Sequence, residues 1–127
     1  MPDSNAASDE SVMQAVIDSL PDVIFYKDPD GVYRGGNKAW GELLGQPVGT
    51  LLGKTDFELF PEDVAAEFRE KDLAMMRSRQ SQRNEEWLVY PDGRRALVDT
   101  LKAPVFDRDG VLIGLVGSCR DITGGAE

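Results

Sequence analysis

Gly53-Lys54-Thr55 has the tail of a phosphate-cradling loop, G-x-x-x-x-G-K-[ST], in which backbone N–H groups and a lysine hold phosphate oxygens. The first glycine of that pattern falls at Val48, and no strand-like run immediately precedes it. Lys54 therefore reads as closing a loop and Thr55 as capping a helix. Asp28-x-Asp30-Gly31 begins like a calcium loop but lacks the later ligands, so it reads as a tight turn. Asp72 is the odd carboxylate. It falls inside an apolar helical stripe, where it must bond backbone, pair with an arginine, or offer a polar group to a ligand in a cavity. Cys119, the single cysteine, fits a small buried apolar residue on a strand. Histidine is absent altogether, which removes the commonest metal ligand and general base. Zinc fingers, Ser-His-Asp triads and histidine-ligated haem go with it. No positioned pair of carboxylates is visible, so the chain reads as non-enzymatic.

The 127 residues suffice for one domain with a real core, and 41% hydrophobic with 29% charged residues is ordinary for a soluble globular chain. Fourteen basic against 23 acidic residues give a net charge of −9, which argues against nucleic acid and anionic membrane surfaces as partners. Apolar runs fall short of the roughly 20 residues a spanning helix needs. The start, MPDSNAASDE, has neither the basic nor the apolar region of a signal peptide, so a cytoplasmic location and no direct membrane insertion are expected.

The elements that must position these residues follow in order. Residues 1–10 are small and polar and are expected to be disordered. Ser11 with Gln14 fits a capping box opening a flanking helix to Leu20, which Pro21 stops. Val12, Met13, Val16, Ile17 and Leu20 give that helix an apolar spacing wide enough for its own domain and a partner. Val23–Lys27 and Val32–Arg34 read as a hairpin around 28–31, broken by Gly35-Gly36. Asn37 is suited to cap a helix from Lys38 to Leu44, ended by Gly45. The stretch 46–53 reads as a connection. Thr55 with Glu58 makes a capping box for a one-turn helix from Asp56 to Phe60, and Pro61 begins the longest helix, to about Arg79, with Val64, Ala65, Phe68, Met75 and Met76 on one side. Three strands joined by short turns follow: Arg83–Tyr90, Arg94–Val105 and Val111–Thr123. The uncharged run Val111–Cys119 predicts a central strand buried on both faces beside the first strand, with something packed closely on Gly114 and Gly117. Alternation puts Leu115, Gly117 and Cys119 on one face of it. The order predicts an α+β domain with one mixed sheet and helices on one face.

The segments LPDVIFYKDPDGVYRGGNKAWGELLG, LLGKTDFELFP, YPDGRR, KAPVFDRDG and IGLVGSCRDIT, in this order and ending on Asp121-Ile122-Thr123, resemble a PAS domain, the small sensor module of bacterial signalling proteins. The match runs from about Val12 to Thr123. The resemblance implies a five-stranded antiparallel sheet in the order 2-1-5-4-3, with helices forming one wall of a ligand cavity. It places the domain at 21–123, after a flanking helix at 11–20 and before a truncated linker at 124–127 leading to an absent effector. The implied effector is a histidine kinase of a two-component system, or alternatively a diguanylate cyclase.

Flavin-binding photosensory members of that family carry a cysteine on the helix after the first hairpin. Here that helix reads TDFELF, so a light-formed flavin adduct is disfavoured, as haem is by the missing histidine. A non-covalent flavin, a small metabolite or no ligand at all stay open. A cavity is expected to be lined by Phe25, Trp40, Leu44, Phe57, Phe68, Met75, Leu101 and Cys119, with Asp72 as a polar contact; each is equally a core residue. Arg120, Asp121 and Thr123 are expected to pass a signal outward, Asp121 through a salt bridge and Thr123 as a cap. The resemblance also implies a homodimer through the first helix and the outer sheet face, and a ligand-free dimerisation module is the alternative to a sensor.

Overall fold

A computed structural model describes residues 8–123. The expected linker at 124–127 and the first seven residues of the expected disordered segment lie outside the described residues. Residues 8–10 start the first helix, α1 (Asp9–Asp18). Its cap is Ser8, whose hydroxyl accepts the Ser11 N–H at 3.0 Å, so Ser11 lies inside the first turn and the helix opens earlier than its own capping box implied.

The strands β1 (Val23–Lys27) and β2 (Tyr33–Gly36) form the first hairpin. One Asp28 oxygen accepts the N–H groups of Asp30 and Val32 and so fixes the turn. Gly35 and Gly36 do not break this hairpin; they pair with Tyr26 and Phe25. Gly36 is in the strand because the Trp40 indole occupies the space that a Cβ there would need. Asn37 then caps α2 (Lys38–Leu44), accepting the Trp40 N–H at 3.1 Å. Fully buried, it also accepts from Ile24 and donates to the carbonyls of Ile17 and Asp22, which ties α1, β1 and α2 together. The stretch 46–53 is not plain connection. It holds the one-turn helix α3 (Val48–Leu51), anchored by the buried Leu51. Next come α4 (Asp56–Leu59), with the Thr55–Glu58 capping box, and α5 (Glu62–Ser78), for which Pro61 is the N-cap.

The remaining strands are β3 (Gln82–Val89), β4 (Arg95–Phe106) and β5 (Leu112–Asp121). All five form one antiparallel sheet in the order β2-β1-β5-β4-β3, as the resemblance implied. β5 is central, but it is not buried on both sides. Leu115, Gly117 and Cys119 are buried under the helices, whereas Ile113 on the other face is 39% exposed. An antiparallel sheet can leave one face to water, and an uncharged run does not by itself decide that both are covered. The close packing expected at Gly117 is present: it pairs with Phe25, whose ring fills the place a Cβ would take.

Candidate functional site

The period of two along each strand decides which side chains face the helices. On β1 these are Val23, Phe25 and Lys27; on β4, Ala96, Val98, Thr100 and Lys102; on β5, Leu115 and Cys119. Above this layer the Trp40 indole and the Phe25 ring lie where side chains at Gly36 and Gly117 would be. A cavity of about 70 Å³ sits there, between the inner sheet face and α2 and α5.

Of the residues expected around a cavity, Phe25, Trp40, Leu44, Phe68 and Cys119 line it. Four others lie elsewhere. Met75 is fully buried in the core and Asp72 lies in an ion-pair cluster next to the cavity. Phe57 is half exposed, because the buried side of the short α4 is taken by Asp56. Leu101 projects from the outer sheet face, because alternation gives the inner face to Thr100 and Lys102. The expectations for Phe57, Met75 and Leu101 as lining residues are therefore corrected.

Sequence reading missed the polar side of the site. Lys27, 1% exposed, donates to Asp56 Oδ2 at 2.6 Å and to Asp72 Oδ2 at 2.8 Å. The Tyr33 hydroxyl donates to Asp56 Oδ1 at 2.6 Å, and Lys102 donates to Asp72 Oδ1 at 3.1 Å. Two lysines and two aspartates thus compensate one another across β1, α4, α5 and β4. Every described buried side-chain oxygen and nitrogen has a partner. Lys27 also lies 4.9 Å from the Tyr33 ring centroid. Burial, and then the neighbouring Asp56 carboxylate, push the Tyr33 hydroxyl far above the ordinary tyrosine range. Asp72 therefore pairs with two lysines, not with backbone or an arginine. Alternation from Val23 and Phe25 was the signal that could have found Lys27.

The Thr100 hydroxyl donates to Glu86 Oε1 at 2.9 Å and lies 3.6 Å from Cys119 Sγ. Burial pushes the Cys119 thiol up, which keeps it protonated at neutral pH. The cavity has apolar and aromatic walls and one polar side, and it can enclose a small molecule.

At the far end of β5, Arg120 pairs with Asp22 at 3.3 Å. Asp121 does not make the expected salt bridge; its short side chain turns back and accepts the Thr123 N–H at 2.8 Å. That hydrogen bond, above all, holds the Asp121 carboxyl below its ordinary range. Thr123 Oγ1 accepts the Leu97 N–H at 2.7 Å, and the Ile122 N–H reaches the Leu97 carbonyl at 2.8 Å. The last residues are thus fastened to β4. Among the described residues no helix is long and apolar enough to cross a membrane.

Comparison with known proteins places this geometry. A family model described as "PAS fold" matches residues 17–126. The chain is 35% identical over 113 residues to the aerobic respiration control sensor protein ArcB of Escherichia coli, matching 89% of this chain and 14% of that protein. It is 30% identical over 117 residues to the methanogenesis regulatory histidine kinase FilI of Methanothrix harundinacea, matching 92% of this chain and 13% of FilI. A diguanylate cyclase of Vibrio cholerae is 30% identical over 115 residues, with 89% of this chain and 36% of that protein matched. The chain therefore spans a minor part of these relatives. Among solved structures, VqmA bound to DPO superposes with a TM-score of 0.79 at 29% identity, covering 91% of this chain and 58% of that one. The PAS domain of Bordetella pertussis BvgS superposes with a TM-score of 0.78 at 27% identity, covering 94% and 90%.

Proposed function

This chain belongs to the PAS-fold family of sensory domains, and from that premise we propose that it is the non-catalytic sensor of a larger cytoplasmic signalling protein. In this reading a small ligand enters the inner cavity, the sheet shifts, and β5 passes the change outward through Arg120, Asp121 and Thr123 to a C-terminal effector. A histidine kinase is the effector we favour, since the histidine kinase FilI matches 92% of this chain and the sensor protein ArcB has the higher identity, 35%; a diguanylate cyclase is the second reading, from the Vibrio cholerae relative at 30% identity. The domain lies at 21–123, with α1 as a flanking helix.

The observation that carries the proposal is the cavity itself, with aromatic walls and a fully compensated polar side, where a purely structural module would be filled by side chains. Its volume, about 70 Å³, is far below the several hundred Å³ of sites that hold large cofactors, which favours a small metabolite over haem or flavin. The net charge of −9 weighs against nucleic acid as a direct partner of this domain. We propose a homodimer through α1 and the outer sheet face. Val12, Met13 and Val16 are exposed on α1, and Leu101 and Ile113 on the sheet.

Native mass spectrometry of protein purified without added cofactors tests the sensor reading. Additional mass that leaves on denaturation is the expected result and reports the ligand class. A bare protein would replace the sensor by a ligand-free dimerisation module.

A further inference from the structure

The two edges of the sheet differ. The outer edge of β2 is closed: the Tyr33 N–H reaches the Lys54 carbonyl, the Gly53 N–H reaches the Tyr33 carbonyl, and Val32 is bridged to Thr55. β3 forms the other edge, and no described strand lies beyond it. Its eight residues pair with β4 without a register shift and include no proline, so neither a bulge nor a missing N–H blunts this edge. The Tyr90 N–H bonds the Arg94 carbonyl, and the Ile122 N–H bonds that of Leu97. Continued along the two registers, these bonds turn the main-chain groups of Asn84, Glu86 and Leu88 toward β4. Those of Arg83, Glu85, Trp87 and Val89 then face the open edge.

The side chains of those four residues project from the outer sheet face, and the two largest are drawn back over β4. Arg83 Nε donates to Asp99 at 2.9 Å, and the Arg95 guanidinium lies over the Trp87 ring, 4.7 Å from its centre. The outward N–H and C=O groups therefore stand clear. Val89 is 62% exposed. Glu85 has no cationic partner among the described residues, because across the ladder it meets Asp99, a second carboxylate already taken by Arg83. An added strand with apolar residues opposite Val89 and Trp87 and a basic one opposite Glu85 completes all three positions. The net charge of −9 draws a basic segment to this chain. We infer that β3 is a docking edge for an extended segment of a partner protein, which joins the sheet as a sixth, antiparallel strand and reads apolar-x-apolar-x-basic. A second copy of β3 fits less well, since its Arg83 is held by Asp99 and its Glu85 repeats the unpaired charge.

The probe is a blocked heptapeptide, Thr-Val-Thr-Val-Thr-Lys-Thr, titrated into the isotopically labelled chain beside its counterpart with Glu in place of Lys. Amide hydrogen exchange read by NMR gives the position of binding. The Glu85, Trp87 and Val89 amides are expected to exchange fast in the free chain and to slow with peptide, while Asn84, Glu86 and Leu88 are protected throughout. The Lys peptide is expected to bind about threefold more tightly than the Glu peptide, the size of one exposed ion pair, and Glu85→Lys to reverse that order. Equal affinities, or an order that Glu85→Lys leaves unchanged, overturn the basic partner. Absence of slowed exchange at the three amides, up to the solubility limit of both peptides, overturns the docking edge itself. Protection of the same three amides without peptide, lost on dilution, gives the edge to a second copy and overturns the inference as well. Glu85 is exposed, so the substituted chain is expected to keep the fold, and the exchange pattern of the unsubstituted chain tests the edge without it.

Discussion

Lys27 and Asp72 are each 1% exposed, and neither charge could stay there alone. Desolvating an ion costs several kcal/mol, and the arrangement holds only because each charge has an opposite partner within 3 Å. Removing one partner is therefore worse than removing all. Asp72→Ala leaves Lys27 with Asp56 alone and strips Lys102 of its counter-ion. We expect a loss of about 3 kcal/mol or more in urea unfolding, with a smaller loss for Asp72→Asn, which keeps an acceptor. The same variant separates two roles. Unchanged ligand affinity with lowered stability in Asp72→Ala would assign Asp72 to structure alone, whereas loss of affinity in a folded variant would make it part of the recognition surface. Asp72 was visible in the sequence as a polar residue in an apolar stripe. Its partners were not, because Lys27 and Lys102 are 45 and 30 residues away, one at the end of β1 and the other within β4, in strand runs that read as ordinary alternation.

At the scale of elements, local chemistry was the readable part. Asn37, Gly45, the Thr55–Glu58 pair and Pro61 marked helix ends within a residue, because capping depends on a few neighbouring atoms. The signals failed where a distant contact overrode them. Gly35-Gly36 reads as a breaker, yet Trp40 packs on Gly36 and keeps it in β2; the phase of β4, which decides between Leu101 and Lys102, follows from its register with β5. The end of β5 is a local device of the same kind. Asp121 has its carboxyl below the ordinary range because it accepts the Thr123 N–H. A lowered folded value means that the turn's contribution is fully present above the ordinary carboxylate range. It is lost as pH falls below about 4, through the lowered folded value. The Thr123 amide resonance should follow that titration, and Asp121→Ala should abolish it while leaving the core spectrum intact. In the full-length protein the same substitution is expected to uncouple stimulus from output. Normal regulation there would remove Asp121 from the relay.

For the whole molecule, two apolar surfaces decide how the domain works in company. α1 has no buried residue, although it is held to the domain through Asn37 and through Gln14, which donates to the Gly36 carbonyl at 3.0 Å. Its Val12, Met13 and Val16 lie open beside a groove in which Met13 and Ile17 face Ile24 and Tyr26 of β1. Tyr26 in turn donates to the Ile113 carbonyl of β5 at 2.8 Å. A second copy seated on α1 and the outer sheet would therefore touch the same central strand that the cavity touches from the other side. In the proposed dimer, β5 is the element that the two surfaces share. Sedimentation of the chain at high concentration should show a dimer or a monomer–dimer equilibrium. Val16→Glu places a charge in the middle of the α1 stripe and should shift that equilibrium to monomer without lowering the unfolding midpoint, since Val16 is exposed in the single chain. A clean monomer before substitution would leave α1 as a flanking helix that covers only its own domain, and the cavity as the one surface through which β5 is moved.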